Sequence, residues 1–168
     1  MNPFTIVQAT AADRDEVFAF VIGEMEKLYR PGTFSKEPDD LLRFDEVYVN
    51  PESCCCLLAR AEDGTLIGTA SLKPYDGRFR ELVPSLEGEL AGEVTKVYVS
   101  SDWRGKGAGK ALYRTWEAFA LQAGYRYGYL HTETHLPGAY PFWQSRGYSE
   151  QAWGTSELVH MTKRLIQF

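Results

Sequence analysis

Val97-Tyr98-Val99-Ser100-Ser101-Asp102-Trp103-Arg104-Gly105-Lys106-Gly107-Ala108-Gly109-Lys110-Ala111-Leu112 changes character twice within one short run. A β-branched and aromatic segment ends in a polar turn, a glycine-spaced loop follows, and an apolar-periodic segment begins. That order predicts strand, loop and helix, with the glycines at the helix start. The first N–H groups of a helix have no intrahelical partner, and the helix dipole adds positive potential there. Glycine lets a bulky anion approach the main chain closely. The segment is therefore a candidate pyrophosphate cradle built from the amides of Arg104, Gly105, Lys106, Gly107, Ala108, Gly109 and Lys110, with Arg104 and Lys106 adding charge. Lys110 falls in the first helical turn, where a cation opposes the dipole, a placement that fits an anion nearby.

Two familiar phosphate loops do not fit. A Walker A loop needs four residues before its Gly-Lys pair and then Ser or Thr, whereas Lys110 precedes Ala111. The dinucleotide fingerprint is Gly-x-Gly-x-x-Gly, and Gly105, Gly107 and Gly109 bring the third glycine one position early. Arg104, Gly107 and Gly109 write Arg-x-x-Gly-x-Gly, which resembles the acyl-coenzyme A loop of the GCN5-related N-acetyltransferase (GNAT) superfamily. A glycine-rich turn without a ligand, and a nucleotide-binding loop of another class, are the alternatives.

The chain has 168 residues, 44% hydrophobic and 24% charged, a composition that suits one soluble domain spanning residues 1–168. It has no apolar run of the length a membrane span needs, and its first residues lack the basic and apolar regions of a signal peptide, so a cytoplasmic protein with no membrane partner is expected. The net charge of −5 argues against nucleic acid as a partner. The acids cluster. One group is Glu37, Asp39, Asp40, Asp45 and Glu46; the other is Glu81, Glu87, Glu89 and Glu93, with no Lys or Arg between residues 81 and 95. They read either as solvated surface or as a mouth attracting cationic amines. The three cysteines, Cys54, Cys55 and Cys56, are adjacent and lack metal-ligand spacing, which suits a buried strand better than an acyl-cysteine nucleophile.

Periodicity predicts strands over 4–9, 54–61, 65–73, 93–99, 126–132, 148–152 and 158–165. Helices are expected over 12–28, 38–44, 107–123 and 138–146, with a long irregular loop over 74–91. The strand-loop-helix-strand unit at 93–132 is a βαβ crossover, which makes its strands parallel neighbours. The fold class is α/β in the mixed sense: a twisted, mostly antiparallel sheet of six or seven strands with a central parallel pair and helices on both faces. This succession is similar to the GNAT fold, in which the parallel pair splays at a β-bulge.

The resemblance extends outward from the loop. Glu93-Val94-Thr95-Lys96-Val97-Tyr98-Val99 is similar to the family's central strand, and Ala139-x-x-Phe142-Trp143-x-x-x-Gly147-Tyr148 to its Ala-x-x-Phe-Tyr-x-x-x-Gly-Phe segment. It implies an enzyme that moves the acetyl group of acetyl-CoA to a primary amine, with no metal. Glu93 falls at the position of a general base, its alternative being a surface carboxylate. Val97, Tyr98 and Val99 are implied as coenzyme contacts, the Val97 amide facing the developing oxyanion and Val99 pairing with the pantetheine amides. In a regular strand Glu93 and Val97 share a face.

The family's usual tyrosine is Trp143 here, which has no O–H to protonate a thiolate but can pack against pantetheine. Tyr140 lies at i−3 and is the candidate substitute; its other reading is a surface ring. The missing tyrosine also leaves open an acyl-CoA binding or sensing domain without turnover. His131, Glu133 and His135 alternate on one strand face, read as polar lining rather than as a metal site, and His160 is read as structural. The implied acceptor is a small cationic amine or a peptide amine. Many relatives dimerise, and a homodimer stays open.

Overall fold

In a computed structural model describing residues 3–155 and 157–166, the described strands join one sheet in the order β1-β2-β3-β4-β5-β7-β6. They are β1 (Phe4–Gln8), β2 (Cys55–Ala61), β3 (Leu66–Pro74), β4 (Ala91–Val99), β5 (Tyr127–Glu133), β6 (Ser149–Trp153) and β7 (Leu158–Arg164). The helices are α1 (Arg14–Leu28), α2 (Asp39–Leu42), α3 (Ala108–Gln122) and α4 (Ala139–Ser145). The expected parallel pair is β4 with β5, whereas β1–β2, β2–β3, β5–β7 and β6–β7 run antiparallel.

Two compact units divide the chain, one of Met1–Lys73 with Thr95–Phe119, the other of Pro74–Val94 with Ala120–Phe168. In the first, Val17 and Val21 of α1, Leu41, Phe44 and Tyr48 pack with Cys56 and Leu58 of β2. Every residue from Cys54 to Ala59 is buried, so β2 is covered on both faces and reads as a continuous apolar run. α3 turns Leu112, Tyr113 and Trp116 inward, and the Trp116 indole N–H donates to the Ser71 carbonyl at 3.0 Å. In the second unit Val83, Leu86, Ala91 and Tyr129 form the core, with Tyr75, Phe79 and Tyr127 against it.

Two elements differ from the sequence expectation. The second helix stops at Leu42, and Asp45–Val49 then forms a π-helical turn that periodicity did not suggest. Such turns carry one extra residue and collect at functional sites. Its Tyr48 is fully buried, 5.8 Å from the Phe44 ring. The first helix begins as a 3-10 turn over Ala11–Asp13, where the Thr10 amide donates to Asp13 Oδ2 at 2.8 Å.

Gly128 of β5 is required by close approach. A Cβ built there would lie 2.2 Å from the Tyr148 hydroxyl oxygen and 3.0 Å from Cζ. Gly128→Ala should therefore cost about 1–3 kcal/mol, the usual price of overpacking. Thermal unfolding should show Tm falling by roughly 2–4 °C for each kcal/mol lost; an unchanged Tm would mean that Tyr148 moves aside freely.

Candidate active site

The loop between β4 and α3 lies wholly in the first unit. Gly105 and Gly107 take φ of 75° and 91°, a left-handed backbone that favours glycine, and neither has an atom within 4 Å of its Cβ direction. The Ala111 amide donates to the Gly107 carbonyl at 3.0 Å, so α3 begins there and the amides of Ala108, Gly109 and Lys110 form its open first turn. Arg104, Lys106 and Lys110 are exposed. Arg104 is steered by its Nε–H, which donates to the Val99 carbonyl at 3.1 Å, and by Glu24 Oε2, 3.7 Å from Nη2. The Lys106 ammonium lies 5.2 Å from the Trp103 ring centroid. Left-handed glycines with open space at their Cβ directions, first-turn amides of the kind a helix leaves without intrahelical partners, and three exposed cations fit a diphosphate.

Just before this loop β4 is irregular. Lys96 has φ of +51°, and among the described residues it is the non-glycine with positive φ. Its carbonyl accepts from Thr69 Oγ1 at 2.7 Å, and its ammonium pairs with Asp40 Oδ2 at 3.0 Å. Tyr48 donates to the same Asp40 oxygen at 2.5 Å and meets Thr95 Oγ1 at 2.9 Å. Burial acts to raise the Asp40 pKa, but the Lys96 charge and the Tyr48 hydrogen bond outweigh it and hold the carboxyl below its ordinary value. Strict alternation along a strand assumes extended backbone throughout, and Lys96 departs from it.

Glu93 lies in the second unit, where the parallel ladder pairs Ala91, Gly92 and Glu93 with Tyr127, Gly128 and Tyr129. It is 2% exposed, not a surface carboxylate. Arg78, on the loop after β3, holds it in a two-pronged pair: Nη1 to Oε1 and Nη2 to Oε2, both 2.8 Å. Arg78 also reaches Asp76 Oδ1 at 2.9 Å and lies 4.9 Å from the Phe79 ring centroid. The Glu93 hydrogen bonds raise the guanidinium pKa still further, against the opposing effect of burial. Bidentate guanidinium pairing fixes a carboxylate in direction as well as position. Each carboxylate oxygen keeps a lone pair beyond the one Arg78 uses.

The Tyr129 hydroxyl meets His160 Nδ1 at 2.7 Å. Burial and the Arg78 charge hold the His160 pKa below its ordinary value. Its Nε2 faces Gly154 without a hydrogen-bond partner among the described residues. His160 is thus part of the second unit's interior, as the sequence suggests. His135 lies beyond β5 and pairs with Glu133 at 3.3 Å. Among the described residues no cluster of His, Cys, Asp or Glu is arranged to hold a metal ion.

Tyr140, on α4, donates its hydroxyl to Glu150 Oε2 at 3.1 Å, and the Trp153 indole N–H donates to that oxygen too. Trp143 is buried, edge-on to Phe142 and Tyr148. The three thiols are buried, and burial pushes Cys56 up to about 12. Cys55 and Cys56 lie in β2 and Cys54 directly before it, buried positions that suit packing and not nucleophilic attack.

The clustered acids are largely consumed. Asp39 and Glu46 pair with Arg43, Asp45 with Arg14, and Asp40 with Lys96. Glu81, Glu87 and Glu89 are exposed. Sequence reading missed Arg78, Asp40 with Lys96, and the buried Glu24. Arg78 is one of two arginines, with Arg80, between Asp76 and Glu81, and nothing in that spacing names Glu93 as its partner.

A profile of the acetyltransferase (GNAT) family matches residues 20–148, and the chain belongs to that family. The fold is similar to a GNAT-family acetyltransferase of Staphylococcus aureus Mu50, with a TM-score of 0.78 at 16% identity over 97% of this chain and 99% of that one. It is also similar to the PaiA N-acetyltransferase of Thermoplasma acidophilum in complex with coenzyme A, with a TM-score of 0.70 at 18% identity over 96% and 98%. The yncA protein of Salmonella typhimurium with its cofactor acetyl-CoA gives a TM-score of 0.69 at 19% identity over 98% and 95%. No curated protein matches the sequence. Among the described residues no helix is long and apolar enough to cross a membrane.

Two outcomes test this geometry. A thiol reagent should leave the native protein unmodified and titrate Cys54, Cys55 and Cys56 only after denaturation; rapid native labelling would contradict their burial. Because Asp40 has a depressed pKa, its contribution to stability is complete above about pH 3.9, the ordinary carboxylate value, and is lost as pH falls through its lower folded value. Acid unfolding of Asp40→Asn should be correspondingly shallower in that range; an acid limb matching wild type would remove Asp40 from the balance.

Proposed function

We propose that the protein transfers the acetyl group of acetyl-CoA to a primary amine by direct attack, with Glu93 as the base. The observation that carries this reading is a buried carboxylate, fixed by Arg78, on the same strand that leads into the glycine loop. The amides of residues 104–110, with Arg104 and Lys106, hold the diphosphate, and Val97, Tyr98 and Val99 offer main chain to the pantetheine arm. Trp143 packs against that arm. The coenzyme supplies the acetyl thioester whose thiol departs.

Alkyl amines are mostly protonated near neutral pH, their pKa being about 10, so a proton must leave before attack. Glu93 accepts it on the lone pairs that Arg78 leaves open, directly or through a water. The Val97 amide faces the oxygen on which charge grows. Tyr140 returns a proton to the leaving sulfur, a role that requires its hydroxyl to exchange Glu150 for a new partner. The acceptor is small and cationic, or a peptide amine, a reading supported by Glu81, Glu87 and Glu89 and weakened by the pairing of the acids around residues 39–46. The free thiols suit a reducing, cytoplasmic setting. Should the protein assemble, the reading expects a homodimer.

Glu93→Gln should lower kcat for amine acetylation by about 10²–10⁴-fold while leaving the Kd for coenzyme A unchanged. Arg78→Lys, which keeps the charge but loses the two-pronged grip, should fall between wild type and Glu93→Gln. Undiminished turnover of Glu93→Gln across pH 6–9 would remove Glu93 from the mechanism. Coenzyme binding with no thiol release for any amine would favour the sensing alternative, and a screen returning only anionic amino acids would contradict a cationic acceptor.

A further inference from the structure

We infer that Asp40 and Lys96 are positioning residues: their ion pair holds Lys96 left-handed, and this sets the main-chain direction of Val97–Val99. The inference rests on the reading that those residues meet the coenzyme. A lysine in a strand ordinarily takes extended backbone and turns its ammonium to water, yet Lys96 has φ of +51° and its side chain is only 20% exposed. L-residues avoid that region because Cβ crowds the following carbonyl, and they persist there only when their surroundings over-determine them.

The surroundings here are specific. The Lys96 carbonyl is fixed by the Thr69 hydroxyl at 2.7 Å, and its ammonium by Asp40 at 3.0 Å. Thr95, the residue before, is fixed by Tyr48 at 2.9 Å, and Tyr48 also donates to Asp40. Asp40 is 12% exposed and belongs to α2, so the segment around residues 38–49 grips the strand from one side. A largely buried ion pair adds little net stability over an apolar pair of similar size, but breaking it leaves an uncompensated charge where water is scarce. Its use is to select one arrangement. The arrangement selected here is a residue directly before Val97, whose amide and neighbouring carbonyls face the coenzyme in the proposed reaction. Glycine would adopt this φ without any tether.

The test is isothermal titration of coenzyme A into wild type, Asp40→Asn, and the double variants Asp40→Asn/Lys96→Gly and Asp40→Asn/Lys96→Ala, with the KM for acetyl-CoA measured alongside. Asp40→Asn should weaken binding by roughly 5- to 30-fold, the population penalty of an untethered left-handed residue. The glycine double variant should recover to within about threefold of wild type, since it lacks both the strain and the charges. The alanine double variant, which lacks the charges but keeps Cβ, should stay weak. The single variants Lys96→Gly and Lys96→Ala carry the same contrast if Asp40→Asn does not fold. Equal affinities of the glycine and alanine variants would overturn the inference, as would wild-type affinity in Asp40→Asn. A wild type that binds no coenzyme A would instead sink the functional reading beneath it.

Discussion

One strand must satisfy three demands at once. β4 begins as a regular parallel partner of β5, carries a buried carboxylate at Glu93, turns left-handed at Lys96, and delivers the chain into a loop of positive-φ glycines. Regular pairing would bond the whole strand into the sheet and leave no main-chain edge for a ligand. The interruption at Lys96 separates the paired part from the part that leads to the glycine loop.

Charge is spent on geometry more than on field. Most of the clustered acids have partners, and pairs at the surface such as Arg43 with Asp39 and Glu46 contribute little to stability. The pairs with a buried member are different. Arg78 with Glu93 sets a buried carboxylate, and Lys96 with Asp40 a largely buried one, against a cation that is only partly exposed. Losing one partner would strand a charge where water is scarce, so each pair fixes the conformation of the segment that carries it.

The strand-loop-helix unit was legible because its signals are local: a β-branched run, glycines at the turn, then apolar residues at helical spacing. The buried cysteine strand was legible for the same reason. A bulge in this strand is implied by the family resemblance, but its placement at Lys96 was not legible, since nothing in Thr95-Lys96-Val97 marks a bend; Asp40, Tyr48 and Thr69, which hold it, are distant in sequence. Arg78 escaped because a cation's partner cannot be read from spacing once a long loop intervenes. Acidic composition suggested an open mouth, and the ion pairs that close much of it are likewise long-range.

The central claim is that main-chain amides after β4 hold a diphosphate. Amide chemical shifts of ¹⁵N-labelled protein titrated with coenzyme A test it most directly. The account predicts saturable shifts at Gly105, Gly107, Ala108 and Gly109, tracking one dissociation constant. Saturating binding that leaves those amides unmoved would contradict it.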